Sequence, residues 1–207
     1  MLISHSKQFI FIHNYKVAGT SIRAALGKYR LSPLHRFQMK IGLRAKNHHK
    51  ISDNHLTALQ IKEKLSNKAF DQYFKFGFVR NPWDWQASLY RYALKNKKHK
   101  QHEIISRMKD FESYLKWRVK HDFRLQKAFF YDENDNCLVN FIGKYENLAP
   151  DFQYVCQQIK VKEHLEHRNQ SQKRQAYLKA YTSETIALVQ EYYAEDIATF
   201  GYEVPKL

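Results

Sequence analysis

The segment FIHNYKVAGTSI, residues 10–21, sets a lysine, a glycine and two hydroxyls at the end of an apolar run. Those residue types in that order suit an anion. A helix N-terminus presents N–H groups that have no partner inside the helix, together with the positive end of the macrodipole. A small-residue turn leading into a helix therefore holds a phosphate-like group well. Lys16 brings a point charge to that place, Gly19 permits close approach, and Thr20 and Ser21 add hydroxyl donors at the helix start. The nucleotide triphosphate loop reads G-x-x-x-x-G-K-[ST]. Here the lysine stands three residues before the glycine, so the loop is of another kind. Taken alone, Gly19, Thr20 and Ser21 also read as an ordinary turn and helix cap.

A second stretch, FKFGFVRNPWDWQASLYRYAL (residues 74–94), puts Arg80 at the end of a strand-like run. Asn81 follows where a helix cap belongs, and Pro82 sits at a first helical position. Ser88 lies eight residues beyond Arg80, about two turns into that helix. A guanidinium fork makes paired charge-assisted bonds to a phosphate monoester, and a serine hydroxyl adds another. By itself, an arginine at a strand end is more often a surface ion pair.

The elements that must position these groups show an alternating pattern. QFIFIH (8–13) is a short β-branched and aromatic run followed by a helical pattern through Ile22 and Leu26. YFKFGFV (73–79) precedes a helix after Pro82, and CLVNFIG (137–143) precedes one across Phe152, Val155 and Ile159. Strand, turn and helix thus recur, which predicts an α/β fold: a short parallel sheet flanked by helices, with ligands at the carboxyl ends of the strands. The C-terminal TSETIALVQEYYAEDIATFGYEV predicts a capped helix running through Ile186, Val189, Tyr193 and Ile197 and stopping near Gly201. With no repeat and no Pro/Gly/Ser-rich linker, a single domain over residues 1–207 is expected.

The chain carries 35 Lys and Arg against 20 Asp and Glu, a net charge of +15, which points to polyanionic or highly phosphorylated partners. Residues 1–50 hold ten of the basic residues, and the first acidic residue is Asp53. The run KNKKHKQH (95–102) is a solvated helix end or a docking patch for an acidic substrate. Two distant cysteines, Cys137 and Cys156, make no disulfide framework and suggest a reduced, cytoplasmic setting. No apolar run approaches the roughly 18 residues of a membrane span. The anion loop begins by residue 9, which leaves no room for a removable leader. No arginine-rich helix or nucleic-acid motif is present, so nucleic acid is not expected as a partner. His164 and His167 have a ligand-like spacing but lack the further partners that tetrahedral zinc requires. Trp83, Trp85, Tyr90 and Tyr92 read as core, with one ring face a candidate to stack on adenine.

The two motifs together resemble one family. FIHNYKVAGTSI is similar to the 5′-phosphosulfate loop, and FVRNPWDWQASLY to the 3′-phosphate motif, of sulfotransferases that use 3′-phosphoadenosine 5′-phosphosulfate (PAPS). The likeness is to the carbohydrate-type branch and its small bacterial relatives. It continues through IGKYENLAPDF (142–152), HRNQSQKRQAYLKAYT and DIATFGYE, in the expected order. The resemblance implies a P-loop-like three-layer α/β/α core. It implies that Lys16 holds the bridging and sulfonate oxygens, and that backbone and hydroxyls from Ala18 through Gly19 and Thr20 to Ser21 hold the 5′-phosphate. Arg80 and Ser88 would hold the 3′-phosphate, with Lys173 or Arg174 completing that site. One position departs from the pattern: the family's proline before the loop lysine is Tyr15 here.

Sulfuryl transfer develops charge on the sulfonate oxygens and the leaving phosphate, so positioned cations and N–H donors should supply most of the catalysis, without a metal. A general base must take the acceptor's proton. His55, in SDNHLTALQIKEKL just ahead of a helical pattern, resembles the family's histidine between the two cofactor motifs. His48, His49, Asp53 or another carboxylate are alternatives, and a lone histidine at a helix start is often a cap or surface residue. The acceptor implied is a carbohydrate hydroxyl, and the basic surface favours an acidic glycan. A bacterial cytoplasmic enzyme is the expected setting. Two rival readings are a non-catalytic polyanion-binding protein, for which charge alone would suffice, and a P-loop small-molecule kinase, which would need the triphosphate-loop order.

Overall fold

A computed structural model describes residues 1–30, 55–165 and 176–207. The chain forms two compact units, one of Met1–Val79 with Ala128–Glu166 and the other of Arg80–Lys127 with His167–Leu207.

The first unit is built on a four-stranded sheet in the order β1 (Leu2–Ser4), β2 (Phe9–Ile12), β3 (Phe74–Val79), β4 (Phe141–Lys144). β1 pairs antiparallel with β2, whereas β2, β3 and β4 run parallel. The fold is thus α/β with a mostly parallel sheet, as the alternation predicts. The short edge strand β1 carries no sequence signal of its own. All four residues of β2 are buried, as are the last five of β3. This explains the continuous apolar sequence of β2 and the apolar sequence of β3 on either side of Lys75, because a parallel sheet is covered on both faces.

On one face, Phe9 and Phe11 of β2 meet Phe76 and Phe78 of β3, with the Phe11 and Phe76 rings stacked at 5.3 Å. Helix α1 (Gly19–Leu26) adds Ile22 and Leu26 to this cluster. Helices α2 (Ala58–Lys64) and α3 (Asn67–Gln72) lie between α1 and β3 in the chain. On the other face, Lys75 is buried and its ammonium donates to the carbonyls of Phe70 and Tyr73, both at 2.9 Å. Burial lowers its pKa.

In the second unit, α4 (Pro82–Lys95), α5 (His102–Ser106) and α6 (Phe111–His121) precede β4 in sequence. After β4 come α7 (Leu148–Gln158), which adds Phe152 and Val155 to the first unit's core, and then α8 (Ser183–Tyr192) and α9 (Ala194–Phe200). The single C-terminal helix expected from the sequence is therefore two. The break falls at Tyr193, whose buried ring stands edge-on to Trp85, and α9 ends on Gly201 in the left-handed conformation (φ 58°). Trp83 and Trp85 are fully buried, while Tyr90 is half-buried and Tyr92 exposed. The Trp83 indole N–H donates to the Ile186 carbonyl, and the Tyr181 hydroxyl to the Trp83 carbonyl. These indoles serve the second unit's core, as expected.

Gly77, mid-strand in β3, has no room for a side chain: a Cβ there would overlap the Phe130 ring. Gly77→Ala should cost about 1–3 kcal/mol, read from urea unfolding, and adding Phe130→Leu should recover part of that loss.

Candidate functional site

The anion loop leaves β2 through His13 and Asn14, both buried. The Asn14 side chain donates to the Phe78 carbonyl at 3.4 Å and its Oδ1 accepts the Tyr15 N–H at 2.6 Å, fixing the turn. Lys16 and Ala18 then both adopt positive φ, 56° and 61°. For residues with a Cβ this conformation costs roughly 1–2 kcal/mol each, and such strain concentrates at functional sites. Ala18 is the N-cap of α1, and no side-chain cap bond is made there. An alanine at this position offers no acceptor to the N–H groups of the first turn, where Ser, Thr, Asp or Asn would. Thr20 is exposed, and Lys16 and Ser21 are half-buried. Gly19 is buried, and its missing side chain makes room for the His13 ring, with which a Cβ would overlap. Close packing inside the protein is thus a reason for this glycine that the sequence does not display.

His55 stands beside the same loop. Its Nδ1 lies 2.9 Å from the His13 carbonyl. A carbonyl only accepts, so Nδ1 carries the proton and Nε2 is the basic nitrogen of the neutral ring. The imidazole stacks on Tyr15 with centroids 4.0 Å apart and 18° between planes, and it meets His13 at 4.4 Å. Tyr15, the departure from the family's proline, therefore has a part of its own as the platform under this histidine. The cap of α2 is Thr57, in a reciprocal capping box with Gln60. His55 is not the cap. The alternatives His48, His49 and Asp53 lie outside the described residues.

In the second unit, Asn81 caps α4 by accepting the N–H groups of Trp83 and Asp84, with Pro82 at the first helical position. Arg80 and Ser88 are brought together: Nη1 donates to the Ser88 Oγ at 3.2 Å. The other edge of the guanidinium meets Asp84, with Nε and Nη2 at 2.8 and 2.7 Å from Oδ2. Asp84 stands in the first turn of α4 and Arg80 ahead of its cap, so the pair is not one that helical spacing alone marks in the sequence. The Arg80 peptide is held by Gln126, which accepts its N–H (3.0 Å) and donates to its carbonyl (2.7 Å). Gln126 itself is held by Asp196, which accepts the N–H groups of Gln126 and Lys127, both at 2.8 Å. Nothing in the sequence marks these two residues, which stand 46 and 116 positions from Arg80 in the numbering. Lys173 and Arg174 lie outside the described residues, as does His167.

Comparison with known proteins adds the family. The profile described as the sulfotransferase family matches residues 1–203. The chain belongs to the sulfotransferase family. It is also 32% identical over 115 residues to an uncharacterised protein of Archaeoglobus fulgidus, a match spanning 55% of this chain and 89% of that one. No solved structure matches. As a sulfotransferase, the protein moves a sulfuryl group to an acceptor. Among the described residues there is no cluster of three or more metal-capable side chains, and no helix is long and apolar enough to cross a membrane. Cys137 and Cys156 are both free thiols.

Two measurements check this geometry. Long-range ¹H–¹⁵N correlation at pH 8 should show the His55 proton on Nδ1 and none on Nε2; the opposite tautomer would contradict the hydrogen bond to His13. Asp196 is fully buried, and desolvation pushes its carboxyl up from 3.8 to about 6. Its folded pKa thus lies above its unfolded one, so the stability it contributes is full below about pH 4 and is lost as pH rises through about 6. In thermal unfolding, wild type should therefore gain stability relative to Asp196→Asn as pH falls from 7 to 5.

Proposed function

We propose that this sulfotransferase takes PAPS as donor and transfers its sulfuryl group to a hydroxyl of a carbohydrate acceptor. The observation that carries the reading is the loop at residues 16–21: two positive-φ residues, a lysine and a helix start whose N-cap, Ala18, makes no side-chain cap bond. Such a loop aims backbone N–H groups and a cation at an anion. In this reading Lys16 holds the bridging and sulfonate oxygens, while Ala18, Gly19, Thr20 and Ser21 hold the 5′-phosphate. Arg80 and Ser88 take the 3′-phosphate, joined by Lys173 or Arg174. The Arg80–Ser88 contact and the partly buried backing of Asp84 support a guanidinium held ready for a phosphate monoester.

The reaction is an in-line displacement. The acceptor oxygen forms the new S–O bond while the bond from sulfur to the bridging oxygen of the 5′-phosphate breaks. 3′-Phosphoadenosine 5′-phosphate then leaves, with its new charge met by Lys16 and the loop N–H groups. The acceptor's proton passes to His55 Nε2, the nitrogen that the bond from Nδ1 to the His13 carbonyl leaves basic. Residues 80–127 hold thirteen Lys or Arg against five Asp or Glu, which favours an acidic glycan as acceptor. The two free cysteines favour a reducing, cytoplasmic setting for the reaction, and the resemblance to small bacterial sulfotransferases favours a bacterial one.

The test is thermal unfolding with 3′-phosphoadenosine 5′-phosphate and, as control, ADP. At about 100 times its dissociation constant a ligand of the native state stabilises by about 2.7 kcal/mol. A shift for the 3′-phosphorylated nucleotide and little for ADP is expected. Equal shifts that vanish with salt would favour a non-catalytic polyanion binder. Lys16→Ala should lower turnover more than affinity for the desulfated nucleotide. His55→Ala should keep that affinity and lower the rate about 10²-fold or more; a fully active variant would end the assignment of the base.

A further inference from the structure

Arg80 follows the last residue of β3, at the point where its peptide groups lose the regular ladder: the final parallel pair is Val79 with Lys144. A peptide here needs another donor and another acceptor. Gln126 supplies both through one side chain, its Oε1 accepting the Arg80 N–H at 3.0 Å and its Nε2 donating to the Arg80 carbonyl at 2.7 Å. A carboxamide reproduces what a neighbouring strand's peptide would offer, and Gln126 does so while fully buried. In a dry setting such paired bonds hold their geometry strongly, and leaving either group unpaired is costly.

The clamp has its own anchor. Asp196, fully buried in the first turn of α9, divides its two oxygens between the backbone N–H groups of Gln126 (Oδ2) and Lys127 (Oδ1). Beside it, the Lys127 ammonium pairs with Glu195 at 2.7 Å. The segment at 126–127 is thereby tied to α9 at three points. At the far end, the Arg80 guanidinium is gripped by Asp84 and Ser88, both from α4. Its head is set by α4, and its root by Gln126.

We propose that Gln126, held by Asp196, is a positioning residue for Arg80, fixing its peptide at both the N–H and the carbonyl so that the guanidinium meets the 3′-phosphate of the nucleotide at a set angle. This rests on the reading of Arg80 as the ligand of that phosphate. Gln126 contacts no part of the nucleotide in this assignment; it acts through Arg80. Charge-assisted phosphate bonds depend on direction as well as distance, and displacement of a positioning group by about 1 Å can cost about 10²-fold.

The experiment compares affinities for 3′-phosphoadenosine 5′-phosphate and ADP by calorimetry, in wild type, Gln126→Ala, Arg80→Ala and the double variant. Gln126→Ala should lower the preference for the 3′-phosphorylated nucleotide by about tenfold or more while ADP binding stays unchanged. In the Arg80→Ala background it should have no further effect, because the group it aims is gone. Loss of binding to both nucleotides equally, or a full additional loss in the double variant, would mean a structural or direct role and overturn the proposal. If Gln126→Ala does not fold, Gln126→Met, which keeps the volume and removes both hydrogen bonds, makes the same measurement. Asp196→Asn, which leaves only one carbonyl oxygen for two N–H groups, should move the preference in the same direction. A collapse of the preference in Arg80→Ala but not in the Gln126 variants sinks the positioning role alone. An unchanged preference in Arg80→Ala sinks the reading of Arg80 itself and the positioning role with it.

Discussion

The parallel ladder of β2, β3 and β4 is the constraint from which the other features follow. Because both faces are covered, every position on β2 must be apolar, and the one lysine tolerated on β3 has to bring its ammonium back to backbone carbonyls. Because the aromatic layer is dense, Gly77 and Gly143 are needed where a Cβ would strike Phe130 or Phe78. Because the strands are parallel and in register, Ile12 opposite Gly77, they end at the same edge of the sheet. The loop at Lys16 and the segment at Arg80 are what the chain enters on leaving β2 and β3.

Each of these two segments has its groups set in place by contacts within the chain. The loop after β2 holds two residues at positive φ and an alanine where a capping side chain would be expected, so the first N–H groups of α1 are not met by a cap. The arginine after β3 is braced by a carboxylate on one edge and a hydroxyl at Nη1. Bracing of this kind reduces the side-chain entropy lost on binding, which for a long arginine is about 2 kcal/mol. The partly buried Asp84 also offsets the cost of keeping a guanidinium there without a ligand.

His55 illustrates how a tautomer is selected by a backbone contact. A free imidazole can carry its proton on either nitrogen, but the carbonyl of His13 accepts from only one of them, which leaves the other basic. The stacked Tyr15 fixes the ring plane. Three consecutive residues of the loop's approach, His13, Asn14 and Tyr15, thus each meet a neighbour: the first and third the His55 ring, the second the Phe78 carbonyl.

What the sequence determined by itself is local. Apolar runs of strand length, the Asn-Pro start of α4, the Lys16 to Ser21 loop and the family likeness were legible because each rests on periodicity, capping chemistry or residue order over a few positions. The α/β class followed from their alternation. The short strand β1 and the break at Tyr193 were not legible: one is too brief to show a period, and the other continues a helical pattern that only the seating of a buried ring interrupts. The reason for Gly19, the platform under His55 and the Gln126–Asp196 clamp were decided by the tertiary structure alone. Each depends on side chains distant in sequence meeting in a buried place, where a hydrogen bond or a ring contact is worth most because water cannot substitute for it.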